Sequence, residues 1–442
     1  MTGDVTDPAP LDRVIAVELT ARKQATDRWL PVPVDLPPGL PSFEVRLEVE
    51  GDGAVVDLGC EGPDGWRGWS GGAHRRFTIG RADASPGYLP GPIEPGRWSV
   101  ILGLHALEHG PVRARVRVIA PARNAPEHGP RPDPVERTIR GSDRDLPAPE
   151  GLTWYAVDTH AHSLHSDGAL SLDELAAEAV RSGLDALCVT DHNTTSHHAL
   201  LPEVGRRHGI TLIPGQEITT HRGHANAFGD IGFVDFRRPV AQWARTVAER
   251  GGLLSVNHPV AGDCSWWHPV PSGVGAVEVL HSDSYREPIS TAPWAWLALL
   301  DAQRGADGSP VLLAGGDFHR RGDRIRPGTP TTWVCAASDS APDLLAGMAA
   351  GRTALTGSVR QGEVDEAAED AVIRPDLAAS PIVLRCGDEE AVEVIDAAGL
   401  VLVDGQDRRR VIERDHERVP AERSAGPYRL ETAGRATVSV CR

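Results

Sequence analysis

Between residues 154 and 319 one arrangement recurs: a short apolar run, then a cluster of His, Asp or Glu. The run at 154–157 leads into Asp158-Thr159-His160-Ala161-His162, and Leu187-Cys188-Val189-Thr190 leads into Asp191-His192-Asn193. Glu217 follows Leu212-Ile213-Pro214-Gly215, and His224 opens the next run after a turn at 220–223. His258 follows Leu254-Ser255-Val256-Asn257, and Asp317-Phe318-His319 follows the run at 311–316. Helical patterns separate these runs, and strands alternating with helices build a parallel sheet or barrel. The C-terminal ends of such strands converge on one face. The placement therefore predicts an α/β domain with its metal-capable side chains gathered at one rim.

Strands are expected at 155–159, 186–190, 211–214, 225–228, 253–257, 276–280, 311–314 and 331–335. Ser171-Leu172-Asp173-Glu174 has the pattern of a capping box, with Gly183 closing that helix. Further helices are expected at 239–250, 291–303 and 342–350. Before this domain, residues 11–121 alternate apolar and polar, as in Val112-Arg113-Ala114-Arg115-Val116-Arg117-Val118, and predict an N-terminal β-sandwich. Trp66, Trp69 and Trp98 there fit core positions better than a sugar-binding platform. Residues 122–149, rich in Pro, Arg, Asp and Glu, read as a surface-run linker, 150–359 as the α/β domain and 360–442 as a small C-terminal β module. The acidic run at 361–370 reads as a solvated loop.

The net charge of −17 argues against binding a nucleic-acid backbone, which calls for a basic surface. The expected partner is a small-molecule substrate, and nothing sets an oligomeric state. Six cysteines, scattered without CxxC spacing, suggest neither a zinc knuckle nor a disulfide framework; Cys188 reads as an inert core residue. The acidic, Pro-rich start and the lack of a long apolar run predict a cytoplasmic protein with no membrane partner.

Residues two apart on a strand share a face, so His160 and His162 project together. Two imidazoles with a nearby carboxylate, Asp167, suit a divalent transition metal. A mixed N/O set without thiolate suits Mn²⁺, Fe²⁺ or Zn²⁺. A Glu such as Glu217 has two oxygens and can bridge two ions, and Asp191 is expected to orient a ligand histidine from behind. His165 and His281 are candidate general acids, since unperturbed imidazole titrates near neutrality. Arg222, Arg320 and Arg321 lie beside candidate ligands and suit a phosphate or carboxylate group. Trp266-Trp267-His268 is a candidate pocket wall. His197, His198, His208 and His221 read as exposed and idle.

In order, His160-x-His162 with Ser166-Asp167-Gly168, Thr190-Asp191-His192, Gly215-x-Glu217 with Gly223-His224, Asn257-His258-Pro259 and Gly315-Gly316-Asp317-Phe318-His319 resemble the motifs of the PHP (polymerase and histidinol phosphatase) superfamily. The likeness covers roughly residues 154–359, about half of the chain. An N-terminal β-domain before such a region is similar to the branch that includes carbaryl-type ester hydrolases, on architecture more than on motif. The resemblance implies a distorted (β/α)7 barrel with two or three divalent metals. His160, His162, Glu217 and Asp317 would hold one; Glu217, His224 and His258 a second; Asp167, His192 and His319 the third. After the strand at 276–280, relatives usually carry an Asn-containing pair; this chain has His281-Ser282-Asp283-Ser284, a departure that bears on substrate.

The expected activity is metal-dependent hydrolysis, with a metal-bridging hydroxide attacking a small phosphate mono- or diester. The same site would also serve a carboxylester or carbamate hydrolase. A third reading, a catalytically idle metal-binding scaffold with partner-binding β-domains, sits poorly with nine filled ligand positions.

Overall fold

A computed structural model describes residues 10–51, 53–107, 110–137, 139–282, 289–304, 308–357, 372–385, 387 and 390–442. The acidic run at 361–370, the boundary at 359–360, Cys386, and Asp283 and Ser284 of the divergent run lie outside the described residues. The chain divides into two compact units. The first comprises Met1–Pro130, Ser163–Ser171 and Asp191–Ala199; the second comprises Arg131–His162, Leu172–Thr190 and Leu200–Arg442.

In the first unit, β1 (Leu11–Leu19), helix α1 (Ala21–Thr26), β2 (Trp29–Leu36), β3 (Ser42–Glu50), β4 (Ala54–Gly62), β5 (Gly65–Gly71), β6 (Arg76–Gly80), β7 (Gly96–Leu107) and β8 (Val112–Ala120) follow in order. They make two four-stranded antiparallel sheets, β1-β8-β3-β6 and β2-β7-β4-β5. Alternation sets the buried face: Val112, Ala114, Val116 and Val118 of β8 are buried while Arg113 and Arg115 are exposed. One apolar core takes residues from both sheets, among them Val45 and Val116 from one and Leu58 and Val100 from the other. Trp69 and Trp98 are 3% and 1% exposed, so they are packed residues and offer no ring face to a sugar.

The second unit opens with a segment whose described residues before 153 form no strand and one short helical turn, Gly141–Arg144. It is nonetheless pinned to its unit. Arg140 Nε and Ser142 Oγ each donate to Asp185 Oδ1 at 2.8 Å, and Arg137 donates to the carbonyls of Leu184 and Gly209. There follow β9 (Thr153–Asp158), α2 (Leu172–Arg181), β10 (Ala186–Val189), α3 (Leu201–His208), β11 (Thr211–Thr220), β12 (Gly223–Phe228), α4 (Val240–Glu249), β13 (Leu253–Val256), β14 (Ala276–His281), α5 (Ala292–Arg304), β15 (Val311–Gly315), β16 (Thr331–Ala336), α6 (Ala341–Ala349) and β17 (Thr353–Thr356). Beyond them lie β18 (Ile382–Leu384), β19 (Ala391–Ile395), β20 (Val401–Val403), β21 (Arg409–Val411), β22 (His416–Pro420), β23 (Tyr428–Glu431) and β24 (Thr437–Cys441).

All but three of these strands belong to one mixed sheet, ordered β15-β14-β13-β12-β11-β10-β9-β16-β17-β24-β23-β20-β21. The strands expected as a C-terminal module thus divide: four continue this sheet past β17, and β18, β19 and β22 pair among themselves. Strands β9, β10 and β11 run parallel, as do β13, β14 and β15. Strand β12 is antiparallel to both its neighbours. Only His221 and Arg222 separate β11 from β12, a hairpin loop too short for any parallel crossover. The sheet also curls so that β15 meets β16, where Ala314 N donates to Thr332 Oγ1 at 2.8 Å and Thr332 Oγ1 donates to Ala314 O at 2.7 Å. One core collects Val157, Cys188, Ile213, Phe228, Ala276, Leu313 and Val334 from seven strands, with Leu344 and Met348 of α6. Among the described residues no helix is long and apolar enough to cross a membrane.

Candidate metal centre

The site in the second unit is built on a pairing of its two ligand-x-ligand motifs. Strand β9 ends at Asp158, and three residues later Ala161 pairs with Phe318 in an isolated parallel bridge. His162 N donates to Phe318 O at 3.0 Å. His160 and His162 flank Ala161, and Asp317 and His319 flank Phe318. The His162 and His319 rings stack with centroids 4.3 Å apart.

Six of the expected ligands converge there. Asp317 Oδ1 stands 3.2 Å from His160 Nε2 and 2.8 Å from His162 Nε2. Glu217 Oε1 stands 3.2 Å from His160 Nε2, 3.3 Å from His224 Nδ1 and 3.4 Å from His258 Nε2, and its Oε2 is 3.6 Å from His162 Nε2. Glu217 does not follow a strand, as the spacing predicts; it lies inside β11, which runs on to Thr220 because β12 pairs with it. His224 faces Thr219 across that hairpin, so Glu217, two residues from Thr219, shares its side of the sheet. His281 joins the group, its Nε2 3.3 Å from Asp317 Oδ2. His319 Nδ1 lies 3.8 Å from Asp317 Oδ1 and 2.8 Å from the Asp317 carbonyl oxygen.

Three supporting groups escaped the spacing argument as site residues. Glu278, 2% exposed on β14, places Oε1 3.1 Å from His160 Nδ1 and accepts His258 N–H at Oε2 over 2.9 Å. Its signal was a lone charge inside the apolar run Val277 to Leu280, where a carboxylate is costly unless partnered. Asn257 Nδ2 donates to Glu217 Oε1 at 2.8 Å. Asp158, fully buried, accepts the N–H groups of His160, Gly316 and Gly328 at 3.0, 2.9 and 2.7 Å. Burial pushes its carboxyl up to about 6 against the pull of those three donors.

The electrostatics are those of a site made for cations. Burial opposes a charge on His160, yet the carboxylates of Asp317, Glu217 and Glu278 outweigh it and raise the imidazole well above its ordinary value. His258 is raised by the same balance. Burial likewise opposes ionisation of Asp317, and His160, His162 and His281 overcome it and hold the carboxyl well below its usual range. His258 and Asp317 also sit at φ 25° and 51°, in the left-handed region that side chains enter at a cost, as strained ligand residues do.

In the first unit, Asp167 Oδ1 and His192 Nε2 pair at 3.5 Å. Asp191 departs from its expected role of orienting a ligand histidine. It accepts Ser163 N, Ser163 Oγ and Ser166 Oγ at 2.9, 2.7 and 2.7 Å and lies 3.3 Å from His197 Nδ1. His197 is correspondingly buried, not idle on the surface. His165 is buried too, and burial pushes its imidazole down to about 3.

The remaining expectations divide. Arg222 Nη2 donates to Trp267 O at 2.9 Å, Arg320 Nε pairs with Asp323 at 3.2 Å, and Arg321 pairs with Glu174 and Glu178 at 3.0 and 2.9 Å. All three arginines thus have protein partners. Trp266 is buried while Trp267 is 70% exposed, so only the second ring is free to wall anything. His208 is buried against Asp173 at 3.0 Å, a correction to its exposed reading; His221 is exposed at the hairpin tip.

Donors on one ion at about 2.1 Å stand about 3.0 Å apart when octahedral and about 3.4 Å apart when tetrahedral. The His160, His224 and His258 separations of 3.2 to 3.4 Å fall in that range, and the all-N/O donor set suits a divalent ion. His258 Nδ1 and His160 Nε2 are buried with no hydrogen-bond partner among the described residues. The residues present therefore fit the divalent metals.

The second unit is thus a mixed sheet with helices that carries a buried His/Asp/Glu centre able to hold divalent ions. Residues 158–282, which span the first ligand motif to the last residue of the divergent run that is described, match the PHP domain. Over 112 residues it is 36% identical to the 5'-3' exoribonuclease Rnm of Salmonella typhimurium, covering 23% of this chain and 38% of that protein. Over 64 residues it is 31% identical to the phosphoribosyl 1,2-cyclic phosphate 1,2-diphosphodiesterase of Eggerthella lenta, covering 14% of this chain and 24% of that protein. The chain thus spans less than half the length of either relative. A two-domain protein of Bacteroides vulgatus, described as containing a predicted PHP-like metal-dependent phosphoesterase, aligns with a TM-score of 0.40 at 18% identity, over 70% of this chain and 91% of that one.

Proposed function

We propose that this protein is a metal-dependent phosphoesterase acting on a small phosphate mono- or diester. The observation that carries the reading is the convergence of His160, His162, His224 and His258 on the carboxylates of Glu217 and Asp317, within 2.8 to 3.6 Å. The two curated relatives, an exoribonuclease and a cyclic-phosphate diphosphodiesterase by name, support the choice of a phosphate ester. Asp167, His192 and His319 are further ligand positions on the motif order, and Mn²⁺, Fe²⁺ and Zn²⁺ all suit the donor set. The curled sheet is read as the distorted (β/α)7 barrel, and the paired sheets of the first unit as a β-sandwich.

Divalent ions at such a site act as Lewis acids and bring the pKa of a coordinated water towards neutrality. The chain's own part is orientation. Glu278 holds His160 through Nδ1, so that Nε2 faces Glu217 and Asp317. Asn257 holds Glu217 Oε1, leaving Oε2 on the His162 side. His281, with Nε2 beside Asp317 Oδ2, and the buried His165 are the candidates to deliver a proton to the leaving oxygen.

The test is p-nitrophenol release by the Mn²⁺-loaded protein from the phosphate monoester, the phosphate diester and the acetate, each with and without chelator. Chelator-sensitive turnover of a phosphate ester is the expected result. Turnover of the acetate alone would replace the reading with carboxylester or carbamate hydrolysis, and silence on all three with metal bound would remove both.

A further inference from the structure

The loop that joins β6 to β7 in the first unit makes an unusually tight contact through one glycine. Gly87 N–H points at both His165 Nδ1, 3.3 Å away, and Ser196 Oγ, 3.1 Å away. Gly87 O accepts from Thr194 Oγ1 at 2.8 Å and from Trp69 N at 3.0 Å. His165 Nδ1 and Ser196 Oγ are themselves 2.7 Å apart. Gly87 has φ +91°, and a Cβ there would fall 2.6 Å from Trp69 O and 2.9 Å from His165 O, so no other residue fits. The neighbouring Tyr88 anchors the loop from inside the core, with its hydroxyl 2.9 Å from Ser70 Oγ and 3.1 Å from Leu58 O.

The three side chains that meet Gly87 belong to the two short segments carrying Asp167 and His192. His165 lies two residues before Asp167, and Thr194 and Ser196 lie two and four residues after His192. Asp191 ties the same segments together through Ser163 and Ser166. The Asp167–His192 pair is thus fastened once to itself and once to the N-terminal sheets, and each fastening is buried. Buried hydrogen bonds to the residues flanking a ligand pair are what fix its geometry.

We propose that Gly87, with Thr194 and Ser196, is a positioning device for the Asp167–His192 ligand pair, and that the N-terminal sheets are thereby part of the metal-binding machinery. The inference rests on the assignment of Asp167 and His192 as ligands and is independent of which ester is cleaved.

The experiment uses the full chain. Metal per chain is measured by elemental analysis across a Mn²⁺ titration, for wild type, Asp167→Asn, Gly87→Ala and Ser196→Ala. Asp167→Asn is expected to lose one metal equivalent. Ser196→Ala is expected to bind that same equivalent about 10–100-fold more weakly, with the other equivalents unchanged, which a general loss of folding would not produce. Gly87→Ala should match or exceed that loss; if it does not fold, Ser196→Ala decides. Full wild-type binding in Ser196→Ala and Gly87→Ala while Asp167→Asn loses an equivalent would overturn the positioning role. An unchanged metal content in Asp167→Asn would overturn the inference through the ligand assignment, leaving the phosphoesterase reading to its own assay.

Discussion

Glu278 Oε1 stands 3.1 Å from His160 Nδ1, and the same carboxylate takes the His258 N–H on its other oxygen. One buried side chain on β14 thereby sets two ligands from different strands. Glu278→Gln keeps the shape, but its amide offers one acceptor where two are used. Metal affinity should fall about 10–100-fold, as for other groups that orient a ligand from behind. Isothermal titration with Mn²⁺ measures it, and unchanged affinity would show that His160 needs no such support.

The ligands themselves admit a harsher test. The double variant His160→Ala, His162→Ala removes two nitrogens that contact both Glu217 and Asp317. It should bind no metal at this centre and release no p-nitrophenol above background. Full turnover by this variant would sink the whole assignment.

Much of this centre was legible because its ligands come in pairs that a short run delimits. His160-x-His162 and Asp317-x-His319 each flank one apolar residue, and those two residues, Ala161 and Phe318, are the ones that pair. What was not legible depends on partners far apart in sequence. Glu278 lies 118 positions from His160 and Asp158 lies 170 from Gly328, so no local pattern joins them. The antiparallel β12 escaped for a different reason. The two-residue loop at His221 and Arg222 forbids a crossover, but the surrounding strand–helix alternation pointed to parallel pairing. His197 and His208 looked like surface residues because their acidic partners, Asp191 and Asp173, are brought to them only by the fold.

Protons and metal should compete at this centre. The folded-state pKa of His160 is raised by Asp317, Glu217 and Glu278 against burial. In the metal-free protein the resulting contacts are fully present below the ordinary imidazole value of about 6.5. They are lost as pH rises through the raised value. Metal needs the neutral ring and gains as those protons leave. The difference in Tm between loaded and metal-free protein should therefore widen from pH 6 to pH 9. Differential scanning calorimetry with and without Mn²⁺ gives it; a gap that narrows over that span would refute the sign.

Asp158 holds together three turns that carry no common strand, through the N–H groups of His160, Gly316 and Gly328. In Asp158→Asn one oxygen becomes an NH₂ group facing a donor. The unpaired buried N–H should cost about 1–3 kcal/mol of stability, and metal affinity should fall as the His160 and Asp317 turns loosen. Chemical denaturation of the metal-free protein checks the first and a Mn²⁺ titration the second. A variant as stable as wild type would mean that water replaces the lost acceptor.

Gly315, the last residue of β15, tests whether close packing behind the ligands matters as much as their chemistry. A Cβ at this position would lie 2.5 Å from His160 Cβ and 3.3 Å from His160 N, and would run into Glu278 Oε1. Relief requires moving both halves of the His160–Glu278 contact, because neither the backbone of residue 160 nor a carboxylate bound at both oxygens has room to swing aside. Gly315→Ala should cost about 1–3 kcal/mol through overpacking and weaken metal binding about 10–100-fold through the displaced imidazole. Gly322→Ala is the matched control, since a Cβ there meets nothing within 4 Å, and it should leave both quantities unchanged. If the two variants bind Mn²⁺ equally well, His160 tolerates displacement and the geometry of this centre is looser than its packing implies.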